Sequence, residues 1–543
     1  MKKYPALTLL ALLGIAPHLG RSAEIPHLQR QGSSTQLVVD GKAFLILGGE
    51  LHNSSSGTAA QADSVLPRLA HANVNTVLAP VSWELIEPAE GAFDFTVIDH
   101  WVAEARVEHM HIVILWFGSW KNGASSYVPA WVKADSRRFP RAVGGDGRQM
   151  EVLSTLSMNN RDADAKAFRA LMQHVRETDS AQHTVLMVQV ENEVGVFTST
   201  RDRSAEADRA FASAVPDSLI SDLRQHPGRF TPELARAWTG NGGTWSAAFG
   251  GGAAASEIFM AWEYASYIGQ VTAAGKAQYP LPMYVNAQLP APHERPGEYP
   301  SGGAHPYYLE VWRAAAPAID FYSPDVYWSD FDHWCDRYTE NGNPFFVPEA
   351  RNDVGPYWAY YAFGEARAFG FSPFAIDDVP DLALRPDETA KNPIAGSYAV
   401  LGELAGLLPQ AQAEGRTRGV LVSVGNPRGS QTVALGGFLF QASLARSYPA
   451  NAIEQDNGAM LVLQEGDGDF LIAGSALRVT VSNDPEKTSA PAGIASVEEG
   501  VIENGRWRTL TRPNGDEDNQ GHTLFLGAHK FTLLRVRVYQ LAQ

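Results

Sequence analysis

From about residue 35 the chain alternates runs too uniformly apolar to be half exposed with segments whose apolar residues recur every three or four positions. AFLILGG (43–49), VNTVLAPV (74–81), HIVILWFG (111–118) and TVLMVQVE (184–191) read as strands buried on both faces. Between them SVLPRLAHA, FTVIDHWVAEAR and DADAKAFRALMQHVRET have helical spacing. This is the rhythm of βαβ units, in which helices cover a parallel sheet. It resumes with PLPMYVNAQ (280–288), IDFYSPDVY (319–327), NPFFVPEA (343–350) and FGFSPFAI (369–376). Eight such strands within about 375 residues predict an α/β fold, a closed (β/α)8 TIM barrel, rather than an open sheet.

Residues 200–255 interrupt the repeat. RSAEADRAFASAV and DSLISDLRQH are predicted to be helical, and GNGGTWSAAFGGGAAAS to be a glycine-rich loop. No strand precedes that loop and no Gly-Lys-Ser/Thr follows, so it is not a phosphate-binding loop. An insertion after the fourth strand lies on the face where barrel loops build active sites, and is expected to shape access. Beyond residue 410 the grammar changes: RGVLVSVG, QTVALGGFLFQASL, GAMLVLQEG, DFLIAG, LRVTVSN, IASVEEGVIENGRWRTL and FTLLRVRVYQL are short strands with glycine and asparagine turns. They predict a smaller all-β sandwich over 411–543, bracing the barrel in preference to binding sugar. The barrel is assigned to 24–410.

The first 23 residues form a third segment. Lys2 and Lys3 precede about a dozen apolar residues, and Gly20, Ser22 and Ala23 follow, the pattern of a cleaved secretory signal. The run is shorter than the roughly 20 residues that span a bilayer, so export to the periplasm or the medium is expected, without stable membrane insertion. With one cysteine, Cys335, the chain can form no internal disulfide and no cysteine metal cluster. A formal net charge of −17 disfavours nucleic acid and anionic membranes as partners but does not penalise a neutral ligand.

The candidate chemistry lies at two strand ends. VQVENEVG (188–195) carries a β-branched run into Glu191, Asn192 and Glu193, and FFVPEARND puts Glu349 at the end of the seventh run. Catalytic groups of TIM barrels sit at the C-terminal rim. Strands three steps apart across an eight-stranded barrel are about 14 Å apart, and each glutamate reaches roughly 4 to 5 Å inward. The remaining gap of about 5 Å suits a retaining glycosidase, in which one carboxylate attacks the anomeric carbon and the other protonates the departing oxygen. Arg351 near Glu349 favours that residue as nucleophile and Glu193 as acid/base. By strand alternation Glu191 points away and reads as structural.

Further candidates share the rim. Asn192 can hydrogen-bond a sugar hydroxyl, Tyr327 can donate to Glu349, and Trp83, Trp116 and Trp120 can stack on a pyranose. His52, in GGELHN, ends the first strand. His109 and His111 lie at the wrong end of the barrel for catalysis, and no metal site or cofactor is expected. A Ser-His-Asp hydrolase lacks its G-x-S-x-G elbow.

Together these motifs resemble glycoside hydrolase family 35, the β-galactosidases, over roughly residues 35–380. ENE (191–193) with Gly195 is similar to that family's acid/base motif, GGELHN (48–53) to its first-strand motif and SWELIEPAEGAFDF (82–95) to its second-strand segment. The resemblance implies Glu193 as proton donor, Asn192 as sugar ligand and Glu349 as nucleophile, with Glu50, His52 and Asn122 among the substrate-binding positions. It also likens the β tail to the module of unassigned role in a shorter bacterial branch. The chain departs from the family pattern at Asn53 and Ser54, at Asn122 where an acidic residue is usual, and at Val194 where tyrosine is usual; hydrolysis is carried over more securely than galactose preference. The expectation is a cofactor-free, retaining exo-β-galactosidase acting on terminal galactose of plant oligosaccharides. Another retaining barrel glycosidase (β-glucanase, mannanase or arabinosidase) and a non-catalytic sugar-binding protein are the alternatives. Oligomeric state is left open, a homodimer included.

Overall fold

The computed structural model describes residues 24–378, 393–425, 429–447, 449–486, 491–514 and 521–541. The secretory leader read at residues 1–23 lies outside them. Eight parallel strands close into a barrel: β1 (Ile46–Glu50), β2 (Thr76–Ser82), β3 (His111–Phe117), β4 (Val185–Val190), β5 (Met283–Gln288), β6 (Phe321–Val326), β7 (Phe346–Ala350) and β8 (Gly370–Pro373). Each pairs with its neighbours in sequence, and β8 returns to β1. All eight apolar runs therefore form the strands the pattern predicts.

Inside the barrel, Ile46, Leu78, Val113, Leu115, Leu186, Tyr284, Phe321, Phe346 and Phe369 form one apolar cluster. Leu37 and Val39 join it from a small antiparallel sheet (His27–Gln31, Ser34–Val39, Lys42–Phe44) that precedes β1. That sheet stoppers the N-terminal end of the barrel, so the opposite end alone is left to carry polar groups. Outside the barrel, apolar faces of the strands pack against helices such as Ala59–His71, Thr96–Val107 and Met158–Asp179.

The insertion after β4 holds helices Ala205–Ala212, Asp217–Gln225 and Pro232–Ala237. The glycine-rich stretch is more ordered than a loop, because a helical turn, Trp245–Ala248, buries Trp245 between Phe249 and Phe259. Its AAAS end opens the 25-residue helix Gly252–Lys276, which the sequence pattern did not single out. Fifteen of that helix's residues are buried, spread around its circumference, so no amphipathic stripe marks it.

The C-terminal strands form two antiparallel sheets. One runs in the order β9 (Thr417–Ser423), β12 (Asn457–Gly466), β13 (Asp469–Ser475), β18 (Thr532–Gln540), β15 (Ala492–Glu503), β16 (Arg506–Thr511); the other in the order β10 (Ser430–Leu435), β11 (Phe438–Leu444), β14 (Leu477–Asn483), β17 (Thr523–Leu526). Val420, Met460, Phe470, Ile472 and Val536 from the first sheet share a core with Phe440, Val479 and Leu524 from the second, making a sandwich. Part of the outer face of the larger sheet is covered by the barrel. Its Ala459, Leu461, Leu463, Leu471 and Ala473 belong to the same apolar cluster as the barrel's helix Gly355–Gly364, every residue of which is buried. Gly364 and Gly419 meet there, and a Cβ on Gly364 would stand 2.6 Å from the Arg418 carbonyl oxygen.

Since sandwich and barrel share that core, they are expected to unfold in one transition. Leu461→Ala should cost about 2–5 kcal/mol, the range for truncating a fully buried leucine. Urea unfolding followed by tryptophan fluorescence measures it, and two separate transitions would contradict the shared core.

Candidate active site

The open end of the barrel gathers polar side chains from six strand ends. On β5 and β6 the interior period of two carries the apolar Tyr284 and Phe321 into Asn286 and Asp325 nearer the rim, all buried. Strand β7 would send Glu349 outward by the same alternation, since Phe346 faces the interior. An irregularity between Val347 and Ala350 resets it, and Glu349 stands opposite Asp325 in the ladder. After β4 the backbone turns through left-handed conformations at Glu191 (φ 63°) and Glu193 (φ 43°), reversing which side each residue faces. Carboxylate oxygens of Glu193, Asp325 and Glu349 consequently lie within 4.8 Å of one another.

Among the described residues a single cation serves this cluster. Lys121, which follows β3 and is buried, places Nζ 3.6 Å from Glu193 Oε2. Among the described residues, these three carboxyls form the acidic group compact enough to share a metal ion. The Lys121 ammonium already supplies the positive charge such an ion would bring. Asn286 ties the cluster together: its Oδ1 accepts from the Glu193 amide at 2.9 Å, and its Nδ2 donates to Asp325 at 2.7 Å and to Asn192 Oδ1 at 2.9 Å. Asn192 in turn donates to the Lys121 carbonyl at 2.8 Å. Burial, then the neighbouring charge of Glu349, pushes the Glu193 carboxyl up to about 7, against a smaller opposing pull from Lys121. Glu193 thus holds its proton near neutrality. Tyr327 donates its hydroxyl hydrogen to Glu349 Oε1 and fixes that oxygen.

Glu191 belongs to a separate buried network. It accepts from the backbone N–H groups of Ser119 (3.1 Å) and Trp120 (2.8 Å) and lies against Asp164, which accepts from Trp116 Nε1 and the Ser119 hydroxyl. Burial, then Asp164, raises the Glu191 carboxyl well above the carboxylate range, so the proton of the pair sits on Glu191. Gly118 is obligatory here, because a Cβ would stand 2.5 Å from Glu191 Oε1. The network fixes the turn that delivers Lys121.

Several expected site residues are elsewhere. Trp83, Trp116 and Trp120 are fully buried and cannot stack on a sugar. Trp83 donates to Glu87, Trp116 faces outward beneath helix Met158–Asp179, and Trp120 is wedged against Tyr264 and Tyr267. Strand-end position along the sequence does not distinguish the barrel's inner face from its helix-covered outer face. Asn122 spends its side-chain oxygen on the turn to Ala124 and Ser125. His52 is half exposed at the rim and bonded to Asp377 at 3.0 Å. Arg351 does not fold back on Glu349; it pairs with Asp353 at 2.6 Å, facing solvent. The residues not anticipated are Lys121, Asn286 and Asp325. Asn286 and Asp325 were detectable as polar positions interrupting apolar strands, whereas nothing marked Lys121.

Residues 53–246 match the family model of glycoside hydrolase family 42, described as β-galactosidase, and residues 394–525 match a model described only as a domain of unknown function (DUF5597). Residues 53–246 thus mark a glycoside hydrolase domain. A β-galactosidase of Xanthomonas manihotis is 27% identical over 198 residues, a stretch that spans 34% of this chain and only 30% of that relative. Among solved structures, Gan42B, a family 42 β-galactosidase from G. stearothermophilus, superposes with a TM-score of 0.51 at 11% identity over 94% of this chain and all of that one. A catalytic variant of the same enzyme gives 0.52 at 11% identity, over 91% of this chain and 99% of that one. These structures speak for the fold alone. The family model that matches is that of family 42, so the resemblance to family 35 in particular is not supported: glutamates at the ends of strands 4 and 7 are common to a large clan of barrel glycosidases, so ENE and PEAR do not separate its families.

Glu191→Ala should destabilise the domain by about 2–4 kcal/mol, by leaving the Ser119 and Trp120 N–H groups without acceptors. Glu191→Gln, which keeps an oxygen acceptor and a donor toward Asp164, should cost less than half as much in the same denaturant titration.

Proposed function

We propose that this chain is a retaining, exo-acting β-galactosidase that releases terminal β-galactosyl residues from plant-derived oligosaccharides after export. The observation that carries the reading is the approach of Glu193 and Glu349 oxygens to within 4.8 Å at the ends of two barrel strands. A carboxyl pair about 5–5.5 Å apart leaves no room for a water between nucleophile and sugar, as inversion would need, and suits double displacement. The match of residues 53–246 to β-galactosidases supports the sugar.

In the first step a Glu349 oxygen attacks the anomeric carbon from the α face. The glycosidic C–O bond breaks, and Glu193 passes its proton to the departing oxygen. In the second step the Glu193 carboxylate takes a proton from water, the resulting nucleophile attacks the same carbon from the β face, and Glu349 leaves with its electron pair. Two inversions return the β configuration. Asn192, bridged to Asn286 and Lys121, is positioned to meet a hydroxyl next to the reacting carbon, and the half-exposed His52 stands at the entrance.

Glu349→Gly should lower kcat on nitrophenyl β-galactoside at least ~10³-fold. Azide filling the vacated space should restore turnover and yield the α-galactosyl azide. Glu193→Ala with azide should instead yield the β-azide, because the intruding anion then attacks from the face that water uses. Unchanged activity in Glu349→Gly would reject the mechanism, and cleavage of polymeric glucan in preference to the galactoside would reject the sugar.

The pH dependence has a definite sign. Glu193 must be protonated to assist departure, so kcat/KM on a poorly activated galactoside should fall above about pH 7. Lys121 lowers the Glu193 value, so Lys121→Met should move that alkaline limb to higher pH. A limb displaced downward would contradict the assignment.

A further inference from the structure

Glu50 ends β1 four residues after Ile46, whose side chain fills the barrel interior, so by the strand's period of two it points to the same side, toward the open end. It is fully buried, and neither of its carboxyl oxygens has a partner. The charged and titratable groups around it are Glu349 on β7, Asp325 on β6, Glu193 after β4, Lys121 after β3, Tyr284 on β5 and Tyr327 after β6. Leu78, its partner on β2, and Ser372 on β8, which lies against Gly48, bear no charge.

Of the charged neighbours of Glu50, Glu349 acts on it most strongly; its Oε2 is equally buried and without a donor, while Oε1 is held by Tyr327. Two carboxylates facing one another in an apolar wall can only repel, since each offers acceptors alone. One proton between them turns the repulsion into a hydrogen bond. The proton belongs on Glu50, for which burial and the charge of Glu349 outweigh the pull of Lys121.

We propose that Glu50 is a positioning residue for the nucleophile: it carries a proton and donates a hydrogen bond to Oε2 of Glu349, so that this glutamate is clamped between Glu50 and Tyr327. Resting on the reading of Glu349 as nucleophile, this gives the first-strand glutamate a role distinct from direct sugar binding. When Glu349 attacks, its electron pair becomes the C–O bond of a neutral ester and the negative charge leaves with the departing oxygen. The Glu50 proton then remains on Glu50, and the same hydrogen bond steadies the ester carbonyl.

The test uses wild type, Glu50→Gln and Glu50→Leu with dinitrophenyl β-galactoside, whose leaving group departs without a proton from Glu193. On this substrate the alkaline limb of kcat/KM reports loss of the Glu50 proton. Wild type should lose activity at high pH. Glu50→Gln, which keeps an N–H donor, should lack that limb, and Glu50→Leu should be depressed at least ~10-fold across the range. A wild-type limb retained in Glu50→Gln, or wild-type kcat/KM in Glu50→Leu, would overturn the proposal. A second readout needs no turnover: the infrared difference between wild type and Glu50→Gln at mildly alkaline pH should show the C=O stretch of one protonated carboxyl in wild type alone. Its absence would also overturn the proposal. If wild type does not cleave the galactoside, the functional reading fails, and the infrared band still decides this one.

Discussion

The polar end of the barrel is governed by crowding of like charge. Glu50, Glu193, Asp325 and Glu349 are buried around one ammonium, Lys121, in a wall otherwise built from apolar and aromatic side chains. Two unit charges 4.8 Å apart repel by about 3.5 kcal/mol at an effective dielectric of about 20. Four such charges cannot be balanced by one cation, so the cluster must retain protons. That necessity separates the roles of otherwise identical side chains. Glu193 keeps a proton it can give away, while Tyr327 fixes one oxygen of Glu349.

Local backbone chemistry makes the crowding possible. The left-handed turns at Glu191 and Glu193 and the irregularity in β7 each depart from regular strand geometry. A non-glycine residue in the left-handed region costs roughly 1–2 kcal/mol, and the surrounding hydrogen bonds are what hold it there. Asn286 grips the Glu193 amide, while Glu191 and Asp164, sharing a proton of their own, fix the turn before Lys121. The second carboxyl pair is thus the foundation of the first: it reaches no ligand, yet it determines where Lys121 stands.

The remainder of the molecule supplies rigidity to that end. The small N-terminal sheet closes the far end of the barrel, and the β sandwich presses its larger sheet onto a helix that follows directly from β7. Phe531 stacks on Tyr360 of that helix with ring centroids 5.2 Å apart. The sandwich therefore buttresses the strand that ends in Glu349, a bracing role that its apolar outer face makes necessary.

Much of this was legible in the order of residues. Eight apolar runs, each bounded by turns and separated by helical spacing, specify a parallel barrel, because only a sheet covered on both faces buries such runs. A glutamate at the end of the fourth and of the seventh run must emerge at the same rim. The helices Gly252–Lys276 and Gly355–Gly364 were not legible, since an element buried all round shows no period. Nor was the fate of Trp83, Trp116 and Trp120, or of Arg351: whether a strand-end side chain turns inward, outward or away depends on loop backbone that has no signature in spacing. Sequence fixes which residues arrive at the barrel's mouth, because burial demands a pattern. Tertiary structure alone decides which of them face one another and which must share a proton, because charge interactions depend on distances that exist only once the sheet has closed.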